Sequence, residues 1–189
     1  MEKKAIITIC GSLGGGKSST ADLVAKKLDF KRFSSGDFTR KIALERGITL
    51  NELNILAETD KAIDESIDNE VKKARNLNQI VIDSRTAYHW IPESFKVYLD
   101  LPPEIAKERI LADLKNNPLR NQSESSNDSD EIYKKIKERF ESEQKRYWEL
   151  YKINNKDKNN FNLVVDTNKN NLEQVVDIIV SEYKKWIEN

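Results

Sequence analysis

A parallel α/β sheet covered by helices on both faces is the fold class this sequence predicts, and three observations predict it. Short apolar, β-branched runs bounded by turn residues recur five times along the 189 residues. Segments with apolar residues at helical spacing lie between them. No internal repeat or domain-scale linker breaks the rhythm. Strands that alternate with helices pair in parallel, because a parallel return needs a crossover that only a helix-sized segment supplies.

The first run, Ala5-Ile6-Ile7-Thr8-Ile9-Cys10, ends at a glycine and has the pattern of a buried strand. A helix over 18–28 follows, with Ala21, Val24, Ala25 and Leu28 on one face. Arg32-Phe33-Ser34 reads as a weaker second strand, and Asp37 then opens a helix that stops at Gly47. Thr49 and Glu52 have capping-box spacing, which starts a helix at Leu50, and Asp60 caps a further helix to about Ala74. Residues 79–83 and 95–99 form the third and fourth strands, and Pro102 and Pro103 suit the start of the next helix. From 116 to 130 the chain is too polar to bury itself, which predicts a mobile loop. A long helix over about 131–151, a solvated loop over 154–162, a fifth strand over 162–166 and a last helix over 172–187 complete the chain.

Composition narrows the function. At 38% hydrophobic and 34% charged residues, the chain suits one folded domain, 1–189. Lys+Arg and Asp+Glu balance at 32 each, so no global basic field draws it to nucleic acid and any basic site is local. No apolar run approaches the roughly 18 residues of a membrane span. No targeting segment is evident, so a cytoplasmic monomer with neither membrane nor nucleic-acid partner is expected. Cys10, the only cysteine, and His89, the only histidine, read as structural residues.

Chemistry enters at Gly11-Ser12-Leu13-Gly14-Gly15-Gly16-Lys17-Ser18, which fits the P-loop pattern and lies between a strand and a helix, as that motif must. Glycines let backbone N–H groups turn toward phosphate oxygens, and the helix N-terminus, through Ser19, adds its dipole. Lys17 reaches the β- and γ-phosphates of an ATP-like donor, while the Ser18 hydroxyl binds Mg²⁺. Asp83, at the end of the third strand, is placed to hold the metal or its waters from the other side; its alternative is a strand-end cap.

A P-loop leaves the acceptor unspecified, and the arginines address it. Arg40 follows the second strand and Arg85 the third, at the carboxyl-end rim that carries the P-loop. Two guanidiniums there can clamp an anionic acceptor, against the alternative of two surface ion pairs. Arg139, Glu143 and Arg146 share one face of the long helix by their spacing of four and three, where a solvated salt-bridge ladder is the plainer account. Beside a polar lid, such arginines can close over the transferring group and exclude water.

Together these residues resemble the nucleoside monophosphate kinases, and most closely the archaeal-type cytidylate kinases. The matching segments are the P-loop; Ser34-x-Gly36-x-x-x-Arg40; Arg85 in Ile82-Asp83-Ser84-Arg85; Pro103 through Arg109-Ile110; Arg139, Glu143, Arg146 and Tyr147; and Asp166-Thr167. They span nearly the whole chain. The resemblance implies a five-stranded sheet in the order 2-3-1-4-5, with MgATP and a nucleoside monophosphate, CMP or dCMP first, meeting end to end. It implies that Arg40, Arg85 and Arg146, helped by Glu143, bind the acceptor's phosphate or sugar. Arg109 would lie against the donor base, and Arg139 would stabilise the transferring group. The acceptor-binding segment would span about 37–75, where Asp64 and Asp68 would read the exocyclic amine of cytosine. The lid would span about 113–139.

Two features depart from that family pattern. Asp113 stands where related kinases often carry a second lid arginine, which implies either that Lys115 or Arg120 supplies the charge or that turnover is slow, and the lid is long and acidic. A kinase for dephospho-coenzyme A or an adenylate-type acceptor, and a weakly catalytic nucleotide-binding regulator, are the alternatives. The absence of Asp-Gly-Phe-Pro-Arg after strand three speaks against an ordinary adenylate kinase, and the arginine clamp against a regulator.

Overall fold

The computed structural model describes residues 2–116 and 128–188. The core of the expected lid, Arg120 included, lies outside the described residues, and so do the side chains of Asp113 and Lys115.

The strand β1 (Ile6–Gly11) is buried along its whole length and takes the centre of the sheet. It pairs in parallel with β3 (Ile80–Asp83) on one side and β4 (Phe95–Asp100) on the other. The edges are β2 (Lys31–Ser34), which pairs with β3, and β5 (Leu163–Asp166), which pairs with β4. The order β2-β3-β1-β4-β5 is the one the family resemblance implied. Register matters for the site, because it brings Ser34 level with Asp83, and Asp83 level with Ile9, at the carboxyl ends.

Alternation along β1 sends its side chains to two cores. Ile7 and Ile9 pack with Val81, Val97 and Leu99 under α1 (Lys17–Leu28) and the C-terminal helix, through Val24, Val176 and Ile179. Ile6 packs with Ile80 and Ile82 on the opposite face, with Val71 and Ala74 above them. Beside the sheet, α2 (Ser35–Glu45), α3 (Leu50–Thr59) and α4 (Lys61–Ala74) share a small core of Ala43, Leu50, Leu53, Ala57, Ile63 and Ile67. The capping box at α3 forms: the Thr49 hydroxyl accepts from the Glu52 N–H at 3.2 Å, and Glu52 accepts from the Thr49 N–H at 2.7 Å.

Two expectations need correction, and one helix is additional to those expected. The helix after β2 begins at Ser35 rather than Asp37, because Ser34 caps it by accepting from the Asp37 N–H at 3.3 Å. A short helix, α5 (Ala87–Trp90), follows β3; four residues cannot display a helical period in sequence. The 154–162 segment is not simply a solvated loop. It holds a 3-10 turn at Lys158–Asn160, and Asn155 is buried where the Tyr88 hydroxyl donates to its Oδ1 at 3.2 Å. The remaining helices are α6 (Pro103–Asn116), α7 (Ser129–Tyr151) and α8 (Leu172–Glu188). Among the described residues, no helix is long and apolar enough to cross a membrane.

Candidate active site

The loop from Gly11 to Gly16 joins the end of β1 to the start of α1. A Cβ at Gly11 would sit 2.4 Å from the Leu99 carbonyl oxygen, so that glycine lets β1 and β4 run side by side. Gly16 has open space around it but a φ of +79° as the N-cap of α1, so its backbone conformation is what calls for glycine. The Ser12 side chain accepts from the Leu101 N–H at 3.2 Å and lies 3.3 Å from the Tyr98 hydroxyl, while Leu13 packs on Ile110, Ile132 and Ile136. Gly15 donates to the Ser12 carbonyl at 3.1 Å, closing the turn. These contacts fasten the loop to β4, α6 and α7. The first turn of a helix leaves its amides without helical acceptors, which is where a phosphate is held.

Directly below, Asp83 at the end of β3 accepts from the Ser18 hydroxyl at 2.7 Å and the Ser34 hydroxyl at 3.3 Å. Both bonds fall on Oδ2, and the Arg32 guanidinium lies 3.6 Å from the same atom. Ser18 and Asp83 thus present a hydroxyl and a carboxylate side by side, the oxygen donors that a hard divalent cation takes when phosphate supplies the rest. Among the described residues, no group of three or more His, Cys, Asp or Glu could cage a metal by itself.

Across the rim, the long helix does bring its three residues together. Arg139, Glu143 and Arg146 line one cavity with Asp64, Asn54 and Tyr147, over a floor that includes Leu53 and Ile63. Its volume is about 30 Å³. Arg146 is held by Asp64 through Nε at 2.7 Å and by Asn54 at 3.0 Å. Burial works against its charge, but the Asp64 carboxylate outweighs that and raises the guanidinium's pKa. Arg85 donates to Glu143 and lies 5.0 Å from the Phe140 ring centre; burial again opposes the charge, and Glu143 again prevails. Glu143 is therefore the counter-charge of Arg85, rather than a spacer within a ladder on α7. Arg40 pairs with Asp37 on its own helix. Arg109 reaches the end of β5, donating to the Thr167 carbonyl at 2.6 Å.

The two acids of α4 differ in where they lie: Asp64 lines this cavity and Asp68 does not. Asp64 gives both oxygens to Arg146, at 2.7 and 3.3 Å, so it orients that arginine. Asp68 is 1% exposed, accepts from the Thr86 hydroxyl at 2.7 Å and does not line the cavity. Sequence reading missed Arg32 and Asn54. No motif marks either, although period-two alternation puts Arg32 on the same face of β2 as Ser34.

A family model described as an AAA domain matches residues 7–162. A cytidylate kinase of Methanosphaera stadtmanae is 30% identical over 97% of this chain and 98% of its own length. Another, of Methanocella arvoryzae, is 34% identical over 95% of this chain and 99% of its own. The chain belongs to the archaeal-type cytidylate kinase family. A shikimate kinase from Acinetobacter baumannii, 16% identical over 97% of this chain and 95% of its own, has a TM-score of 0.58 and shares the P-loop kinase fold. The protein is thus an ATP-dependent kinase of the nucleoside monophosphate type.

Proposed function

We propose that this kinase transfers the γ-phosphoryl group of MgATP to CMP or dCMP, giving CDP or dCDP and ADP. The observation that carries the reading is the convergence of Arg139, Glu143 and Arg146 on one cavity with Asp64, while Glu143 pairs with Arg85. A bare nucleotide binder has no use for cations gathered on the acceptor side. The specific acceptor is supported by the cytidylate kinases among the relatives.

In this reading Lys17 and the amides from Gly11 to Ser19 hold the donor phosphates, and Arg109 flanks the donor base. Ser18 and Asp83 would hold Mg²⁺, which would neutralise charge on the donor phosphates. Arg40, Arg85 and Arg146 grip the acceptor, with Asp64 and Glu143 keeping two of those guanidiniums in place. An oxygen of the acceptor phosphate attacks the γ-phosphorus in line as the bond to ADP breaks, and Arg139 stabilises the equatorial oxygens. That phosphate is already ionised, so no general base is required. We read the enzyme as a cytoplasmic monomer acting without nucleic acid or membrane, with a lid over about 113–139.

The test is to supply MgATP with each nucleoside monophosphate in turn and follow ADP release. Preferred turnover of CMP or dCMP is expected. Preference for AMP, or for dephospho-coenzyme A when that is supplied, would replace the acceptor assignment, and turnover of none would refute the reading.

A further inference from the structure

Arg32 lies on the edge strand β2, with its side chain 23% exposed, and faces three carboxylates from three elements. Its Nε lies 3.1 Å from Asp22 on α1, one terminal nitrogen donates to Asp37 on α2 at 2.9 Å, and the other lies 3.6 Å from Asp83 on β3. Each partner leads to the site. Asp83 is bonded to Ser18 of the P-loop helix, and Asp37 uses its other oxygen to hold Arg40.

We infer that Arg32 is a positioning residue that ties the donor side of the site to the acceptor side. The chain of contacts runs Ser18–Asp83–Arg32–Asp37–Arg40 without a gap. Ser18, Ser34 and Arg32 all meet Asp83 at Oδ2, which fixes the carboxylate's rotation and leaves Oδ1 outside that set of contacts. On the other side, Arg32 and Arg40 share Asp37, one on each oxygen, so Arg32 fixes the carboxylate that orients Arg40 toward an incoming phosphate. Only a planar fork serves three carboxylates in fixed directions; an ammonium on a flexible stem carries the charge but not the geometry. A surface ion-pair cluster is the competing account, and it predicts a small loss of stability with kinetics unchanged.

The inference rests on the proposed role of Arg40 at the acceptor phosphate, and the experiment separates the two. Steady-state kinetics with MgATP and CMP would be measured for Arg32→Ala, Arg32→Lys, Arg40→Ala and the double Ala variant, alongside calorimetric CMP binding without ATP. Arg32→Ala is expected to raise the CMP KM about tenfold and to weaken calorimetric CMP binding by a like factor. Lys should recover only a minor part of the loss. The double variant should match Arg40→Ala alone, because both changes break one chain of contacts.

If the two Ala effects instead multiply, or Arg32→Ala lowers stability with the CMP KM unchanged, the inference is wrong while the role of Arg40 stands. An unchanged KM in Arg40→Ala would overturn both. Asp37→Asn cuts the same link from its other end, so it should reproduce the Arg32→Ala pattern even if that variant folds poorly; a normal CMP KM there would also refute the coupling.

Discussion

At Arg85 the competing demands on one side chain are plain. Its guanidinium donates to Glu143 and packs near the Phe140 ring, while its Nε is buried with no hydrogen-bond partner among the described residues. An ionised acceptor phosphate would offer a bidentate partner to such a group, and a charge-assisted hydrogen bond contributes about 1.5–3 kcal/mol. Arg85→Ala is therefore expected to raise the acceptor KM by one to two orders of magnitude, about 10- to 100-fold on that energy. ATP affinity should stay within about twofold, since the side-chain hydrogen bond of Arg85 is to Glu143 on α7. Titration with a fluorescent ATP analogue, next to steady-state kinetics, reads both. Abolished ATP binding would show that the division into donor and acceptor sides is wrong. The roles of Asp64 and Glu143 as partners of arginines were not legible in the sequence, because i, i+3 and i, i+4 spacing reports neighbours on one helix and says nothing of what faces them.

Among the elements, α3 illustrates how a local signal serves a distant site. Its start is written in Thr49 and Glu52, whose reciprocal bonds form as their spacing requires. Farther along the same helix, Asn54 accepts from Arg146 at 3.0 Å and Glu58 accepts from the Ser142 hydroxyl at 2.7 Å, so the cap anchors a wall of the cavity proposed for the acceptor. Thr49→Ala should cost about 1 kcal/mol in urea unfolding. Because it loosens the helix that carries Asn54, the acceptor KM should rise while the ATP KM holds; equal rises in both would contradict this placement of α3. The strands were legible because β-branched runs bounded by turn residues admit few other readings. In contrast, α5 is too short to show a helical period, and the anchoring of Asn155 depends on the fold carrying Tyr88 to it.

Across the whole molecule, the end of the sheet opposite the active site is closed by ion pairs around Glu93. Its side chain is 5% exposed and meets Arg75, just past α4, at 2.5 Å and Lys4, just before β1, at 3.5 Å. Burial alone would raise this carboxyl, but the hydrogen bond and charge of Arg75, with Lys4, hold it below its ordinary 4.5. A lowered carboxyl contributes stability that is fully present above its unfolded value and is lost as pH falls through the folded one. Glu93→Gln should therefore cost about 1 kcal/mol near neutrality. That gap should narrow as pH drops below 4.5, measured by urea unfolding at pH 7 and at pH 3.5. A gap that widens on acidification would reverse the assignment.

The sequence by itself determined the alternation of strands and helices, the strand–loop–helix setting of Lys17 and Ser18, and the arginines at the carboxyl ends of the strands. Those follow from periodicity and from short motifs, which act over a few residues. Only the tertiary structure decided which carboxylate faces which guanidinium: Glu143 with Arg85, Asp64 with Arg146, and Arg32 among Asp22, Asp37 and Asp83. The reason is physical. Charge pairing depends on distances of a few ångströms between residues that are, for Arg85 and Glu143, 58 positions apart in the chain, and the sheet register and helix packing alone set those distances.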